Sequence, residues 1–141
     1  MLDVAPAEYP GAKFHFPGAK VTILDINPTS GADIIADITS CREIPDNSYE
    51  LIVCTEVLEH TLAPWQASRE IYRLLKPGGI ACVTTPCNFM IHVPSPDCWR
   101  FTEQGLRELF KYFTIEELQP LETPGRPPFP IQYTLIARKP E

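Results

Sequence analysis

Four acids, Asp3, Asp25, Asp37 and Glu56, each stand at the carboxyl end of a short apolar run, and His60 follows Glu56 by four residues. A carboxylate only accepts hydrogen bonds, and its two oxygens are spaced to hold two neighbouring hydroxyls. An acid ending a second strand, about 20 residues beyond the first turn, is an arrangement that binds a ribose. Asp25 stands 19 residues after Pro6. Asp37 suits the amino group of an adenine ring, and the backbone of Ile38 suits the ring's edge. An acidic pocket without a Gly-Lys-Ser/Thr pattern is poorly matched to a triphosphate. It is well matched to a nucleoside carrying positive charge. Further along, His92, Asp97, Trp99 and Arg100 share one loop that could face an acceptor. If that acceptor must lose a proton, His60 and His92 are the candidate catalytic groups, because imidazole exchanges protons near neutral pH.

Each of these residues also has a plainer reading. Asp25 and Asp37 can cap turns. Glu56 and His60 can satisfy a helix terminus, Asp97 and Arg100 can brace their loop as an ion pair, and Trp99 can anchor it.

The elements that must position these groups are legible as apolar runs. "LDV" opens the chain, followed by "KVTILDI", "ADIIADI", "YELIVCT" and "GIACVTTP". Near-continuous Ile, Val and Leu runs suit strands covered on both faces. In "APWQASREIYRLLKPGG" the positions Ala67, Ile71, Leu74 and Leu75 recur at helical spacing. Pro64 suits the first turn of that helix, and Pro77-Gly78-Gly79 supplies its stop. Thr102 is the expected N-cap of a second helix that buries Leu106, Leu109 and Phe110. "YFTIEELQ" and "IQYTLIARK" read as closing strands around a proline-rich loop. The order is that of a doubly wound, mostly parallel α/β sheet of about seven strands. Ligands of such sheets bind beyond the carboxyl ends of the strands, where the four acids fall.

The composition narrows the classes. The chain has 141 residues and a net charge of −6, which fits a single domain over 1–141 with a proper core. Its acidic balance makes nucleic acid an unexpected partner. No apolar window is long enough for a membrane span, and the N-terminus lacks the features of a secretory signal. Five cysteines form an odd set without a C-x-x-C pair, so they read as reduced thiols of a cytoplasmic protein and no metal site is expected. Cys54 and Cys82 read as small core residues. Prolines cluster from Pro86 to Pro96 and from Pro120 to Pro130, both expected as ordered loops.

In order, "LDVAP", "LDINP", "ADI", "NSYELIVCTEVLEH", "REIYRLLKPGG" and "DCWRFTEQGLREL" resemble the landmarks of class I S-adenosylmethionine-dependent methyltransferases of the type 11 group, over residues 2–118. The resemblance implies a Rossmann-like fold in a minimal version, with the last strand antiparallel. It also implies S-adenosylmethionine as cofactor and a small-molecule methyl acceptor. Asp3, Ala5 and Pro6 would lie near the methionine part and Asp25 would hold the ribose hydroxyls. Ile26 would pack on the adenine, and Asp37 and Ile38 would flank it. Cys54, Thr55 and Glu56 would line the floor, with His60 on the substrate side. Two departures stand out. The first motif has Ala5, Pro6 and Ala7 where the family normally has glycines, although some members share an Ala-Pro turn. The helices that usually precede the first strand are lacking, so a homodimer covering a bare sheet face is expected. Two other readings remain open: a methyltransferase-like module without chemistry, and an NAD-binding oxidoreductase. The oxidoreductase lacks its phosphate-cradling glycines here.

Overall fold

The computed structural model describes residues 1–7 and 11–141. Glu8, which follows the Ala5-Pro6-Ala7 stretch, lies outside them. The strands are β1 (Leu2–Val4), β2 (Thr22–Asp25), β3 (Ile34–Ile35), β4 (Tyr49–Thr55), β5 (Leu75–Pro86), β6 (Thr114–Glu122) and β7 (Pro130–Arg138). The helices are α1 (Gly11–His15), α2 (Pro64–Leu74) and α3 (Glu103–Leu109), with a 3-10 turn at Leu58–His60.

The seven strands form one sheet in the order β3-β2-β1-β4-β5-β7-β6. All pairs from β3 through β5 are parallel, whereas β7 runs antiparallel to both β5 and β6. This is the Rossmann-like α/β sheet with an antiparallel last strand. The strand order reverses between β1 and β4, which opens a crevice at their carboxyl ends.

Side chains of a strand alternate between faces. Leu2, Val4, Leu24, Ile52, Cys54, Ala81, Val83, Leu135 and Ala137 point one way and are buried with Ile71 and Leu74 of α2 and Leu106 of α3. Burying one such aliphatic side chain is worth about 1.5–3 kcal/mol, so this layer dominates the stability. Pro64 occupies the first turn of α2, and Ser68 Oγ donates to Leu109 O at 2.7 Å, which locks α2 to α3. Thr102 caps α3, its hydroxyl accepting from Gly105 N at 3.1 Å.

The expectation that the strands are covered on both faces is corrected by the other side of the sheet. There Leu51, Val53, Ile80, Cys82 and Ile136 are only half-buried, because α1 is five residues long and covers little beyond Asp3 and its neighbours. Cys82 is thus no core residue, unlike Cys54. The third run, expected as a strand over "ADIIADI", pairs through Ile34 and Ile35 alone. Asp37 turns the chain directly afterwards, its Oδ1 accepting from Thr39 N at 2.8 Å. Pro120, expected in a loop, lies within β6. A proline without an N–H is tolerated there because β6 is an edge strand. No described helix is long and apolar enough to cross a membrane.

Candidate active site

The first turn keeps a glycine-like shape without the glycines. Ala5 and Ala7 hold φ of 47° and 53°, in the left-handed region that glycine enters freely. Ala5 N donates to Leu24 O at 2.7 Å, fixing the turn to β2. Asp3 is buried at the carboxyl end of β1, and its Oδ2 accepts from Ala12 N of α1 at 2.7 Å. Burial raises its carboxyl above the usual range, while the N–H of Ala12 pulls the other way. Gly11 has φ of 58°, and a Cβ there would lie 2.8 Å from Pro6 Cβ, so glycine is required where α1 meets the turn.

At the tip of β2, Asp25 Oδ1 accepts from Asn27 N at 2.8 Å. Asp25 and Asp37 therefore both cap turns, each with one oxygen; the other has no hydrogen-bond partner among the described residues. Ile26 is 65% exposed beside them, free to pack against a ring. Cys54 is corrected in part, whereas for Ile38 the expectation concerned its backbone. Both side chains lie in the core, so only their backbones can face a ligand, and burial pushes the Cys54 thiol strongly up. Val53 and Cys82 take the place on the floor expected of Cys54.

These strand ends border a cleft of about 1020 Å³ on the half-covered face. Asp3, Ala5 and Pro6 of the first turn, Thr55 and Glu56 after β4, and His60 and His92 all line it. Glu56 sits at the exit of β4 with φ of 53°, and its Oε1 is buried without a partner. The volume suits a ligand of nucleoside size with room for a second small molecule. Asp25, Ile26 and Asp37 stand outside this cleft, on the β2–β3 side of the same sheet edge.

The loop after β5 is braced from within. Arg100 binds Asp97 through both oxygens, at 2.5 and 2.8 Å, and donates to the carbonyls of Phe89, Met90 and Trp99. The Arg100 guanidinium holds the Asp97 carboxyl well below the usual range. Asp97 Oδ2 also accepts from His92 N at 2.8 Å. Trp99 Nε1 donates to Thr61 O at 2.8 Å, and its ring meets Trp65 edge-on at 6.1 Å. Asp97, Trp99 and Arg100 thus position the loop, and of the four expected loop residues only His92 lines the cleft.

Glu59 is the residue that the sequence reading missed. It is fully buried in the 3-10 turn, neither carboxylate oxygen has a hydrogen-bond partner, and desolvation pushes its carboxyl up to about 7. Its Oε1 lies 3.6 Å from His60 Nε2 and 3.7 Å from His92 Nε2. No local pattern marked it, because the 3-10 turn that buries it spans only Leu58–His60.

The model of the type 11 group, described as methyltransferase domain, matches residues 2–83. Human thiol S-methyltransferase TMT1B is 32% identical over 117 residues, covering 70% of this chain and 46% of that protein. Human thiol S-methyltransferase TMT1A is 30% identical over 95 residues, 56% of this chain and 39% of that protein. The chain thus spans less than half the length of these curated relatives. Among solved structures, an S-adenosylmethionine-dependent methyltransferase from Methanosarcina mazei superposes with a TM-score of 0.77 at 18% identity, covering 99% of this chain and 91% of that one. A Burkholderia thailandensis 1,6-didemethyltoxoflavin-N1-methyltransferase with bound 1,6-didemethyltoxoflavin and S-adenosylhomocysteine gives 0.72 at 20% identity, over 99% of this chain and 70% of that one.

Proposed function

The chain belongs to the methyltransferase domain family, and we propose that it transfers the methyl group of S-adenosylmethionine to the sulfur of a small thiol. The observation that carries this reading is that one cleft is lined both by the Ala5-Pro6 turn and by His60 and His92. The thiol acceptor is supported by the relatives, which are thiol S-methyltransferases.

When bound, S-adenosylmethionine supplies an electrophilic methyl group on a positively charged sulfur. The free oxygen of Asp25 accepts from the ribose hydroxyls, Ile26 packs on the adenine, and Asp37 takes its amino group. The backbone of Ile38 follows the ring edge. Asp3, Ala5 and Pro6 shape the methionine end, and Thr55 and Glu56 support the region of positive charge. Rate enhancement comes mainly from holding donor and acceptor in line. A thiol is a modest demand on the site, since a few per cent is already thiolate near neutral pH. His60 and His92 stand where the acceptor's proton leaves. The loop over 86–102 selects the acceptor, and its exposed Met90, Ile91 and Val93 favour an apolar one. The five free thiols fit a reducing, cytoplasmic setting.

Calorimetric titration with S-adenosylmethionine and S-adenosylhomocysteine is the first test, with micromolar binding expected. Asp25→Ala removes charge-assisted hydrogen bonds and should weaken both ligands roughly tenfold to a hundredfold. Transfer of labelled methyl to thiophenol and 2-mercaptoethanol, against phenol and aniline, tests the acceptor. No binding overturns the cofactor assignment; transfer only to oxygen or nitrogen overturns the thiol.

A further inference from the structure

We propose that Glu59, His60 and His92 form a three-ligand site for a divalent transition-metal ion of the zinc class, open on its fourth side to the cleft. The three side chains offer one ligand atom each, all within 4.8 Å of one another. Nothing in the sequence pattern announces the site, because His92 comes from a loop more than thirty residues away from the other two.

The tautomers make the case. His60 Nδ1 lies 2.8 Å from Pro96 O, and a carbonyl oxygen only accepts, so Nδ1 bears the hydrogen and Nε2 keeps its lone pair. His92 Nδ1 lies 3.1 Å from Asp97 Oδ2, outside hydrogen-bond geometry, yet a carboxylate beside that nitrogen favours the hydrogen there. Both Nε2 lone pairs then face Glu59 Oε1, at 3.6 and 3.7 Å. Both imidazole Nε2 atoms lie near a buried carboxylate that has no hydrogen-bond partner, an arrangement that a cation resolves by displacing any proton the carboxyl holds. Ligand bonds of about 2.0–2.1 Å in a tetrahedron set ligand atoms roughly 3.3 Å apart, so the two spacings from Glu59 Oε1 to the histidines, 3.6 and 3.7 Å, close by a few tenths of an ångström while the imidazoles draw together from within 4.8 Å. His60 is oriented through its second nitrogen by the carbonyl of Pro96, as ligating histidines are, and the Asp97 carboxylate stands beside the second nitrogen of His92. Two histidines and one glutamate with an open position make a catalytic rather than a structural zinc set.

Resting on the methyl-transfer reading above, the open position takes the acceptor thiol. The metal-bound thiol gives its proton to solvent, so with the ion present His60 and His92 serve as ligands instead of taking that proton. A sulfur lone pair then forms the bond to the methyl carbon as the carbon–sulfonium bond breaks, its electrons remaining on S-adenosylhomocysteine.

Untagged protein, stripped of metal, is titrated with Zn²⁺ by calorimetry and with Co²⁺ by visible absorption. One tightly held ion per chain and a four-coordinate cobalt spectrum are expected. His92→Ala and Glu59→Gln should each weaken binding by more than about a hundredfold with the circular dichroism unchanged. His92 sits on an exposed loop, so its variant folds even where Glu59→Gln does not. His15→Ala and Cys98→Ser, outside the cluster, should bind as the parent does. Adding thiophenol to the cobalt form should produce a sulfur-to-metal charge-transfer band. No stoichiometric binding, or binding unchanged in His92→Ala, overturns the site. Metal binding without any affinity for S-adenosylhomocysteine leaves the site standing and overturns the methyl-transfer reading instead.

Discussion

Ala5 and Ala7 show what a missing glycine costs. A side chain at positive φ crowds its own carbonyl, at about 1–2 kcal/mol per residue, and both alanines hold this backbone at 47° and 53°. The turn persists because Ala5 N is bonded to Leu24 O and because Gly11 lets Pro6 pack against α1. Ala5→Gly should therefore raise stability, by about 0.5–1 kcal/mol once the greater freedom of an unfolded glycine is subtracted. Thermal melting checks this, with a rise of a few degrees expected. A lower melting temperature would mean that the alanine methyl packs usefully and that the backbone is not strained.

At the scale of elements, β3 and β4 are joined without a helix, and the last turns of α2 hold that connection in place. Glu70 accepts from Arg73 at 2.8 and 3.0 Å and from Cys41 N at 2.9 Å. Arg73 in turn donates to Ile44 O, Cys41 O and Asp46 Oδ1. The Arg73 hydrogen bonds lower the Glu70 carboxyl below its ordinary 4.5, burial opposing them. A carboxyl lowered by folding stabilises fully above its unfolded value and loses that contribution as pH falls through the folded one. Glu70→Gln should cost about 1–3 kcal/mol at pH 7, and the gap to the parent should close below about pH 4.5. Urea denaturation at neutral pH and at about pH 3 measures this; an equal gap at both would show that charge is not the cause. The fold's order of elements was visible here in the apolar runs. The length of β3 was not, because Asp37 ends the strand with a side-chain bond that no periodicity reports.

Over the whole molecule the two faces of the sheet are unequal. One is sealed by α2 and α3; the other leaves Leu51, Val53, Ile80 and Cys82 half-covered and adds an exposed Phe14 and Phe89 near the cleft. Contiguous apolar surface of this kind marks an interaction site. A second copy of the chain is the cover we expect, and light scattering at micromolar concentration should give twice the 15.9 kDa of one chain. The mass of a single chain would overturn the dimer.

The sequence by itself determined the strands, the two longer helices and the acids at the strand ends, because hydrophobic period and capping residues are local properties. It also carried the family, through motifs whose spacing is fixed by the sheet they serve. Which face each residue takes was decided only by tertiary structure. Cys54 reads as a ligand neighbour but its side chain points into the core, since register sets the face of every side chain in a strand. Asp97, Trp99 and Arg100 proved to hold one another and the backbone, while His92 alone reaches the cleft. Glu59 drew no attention among its neighbours in sequence. It acquires its chemistry from burial and from a histidine that only folding brings beside it.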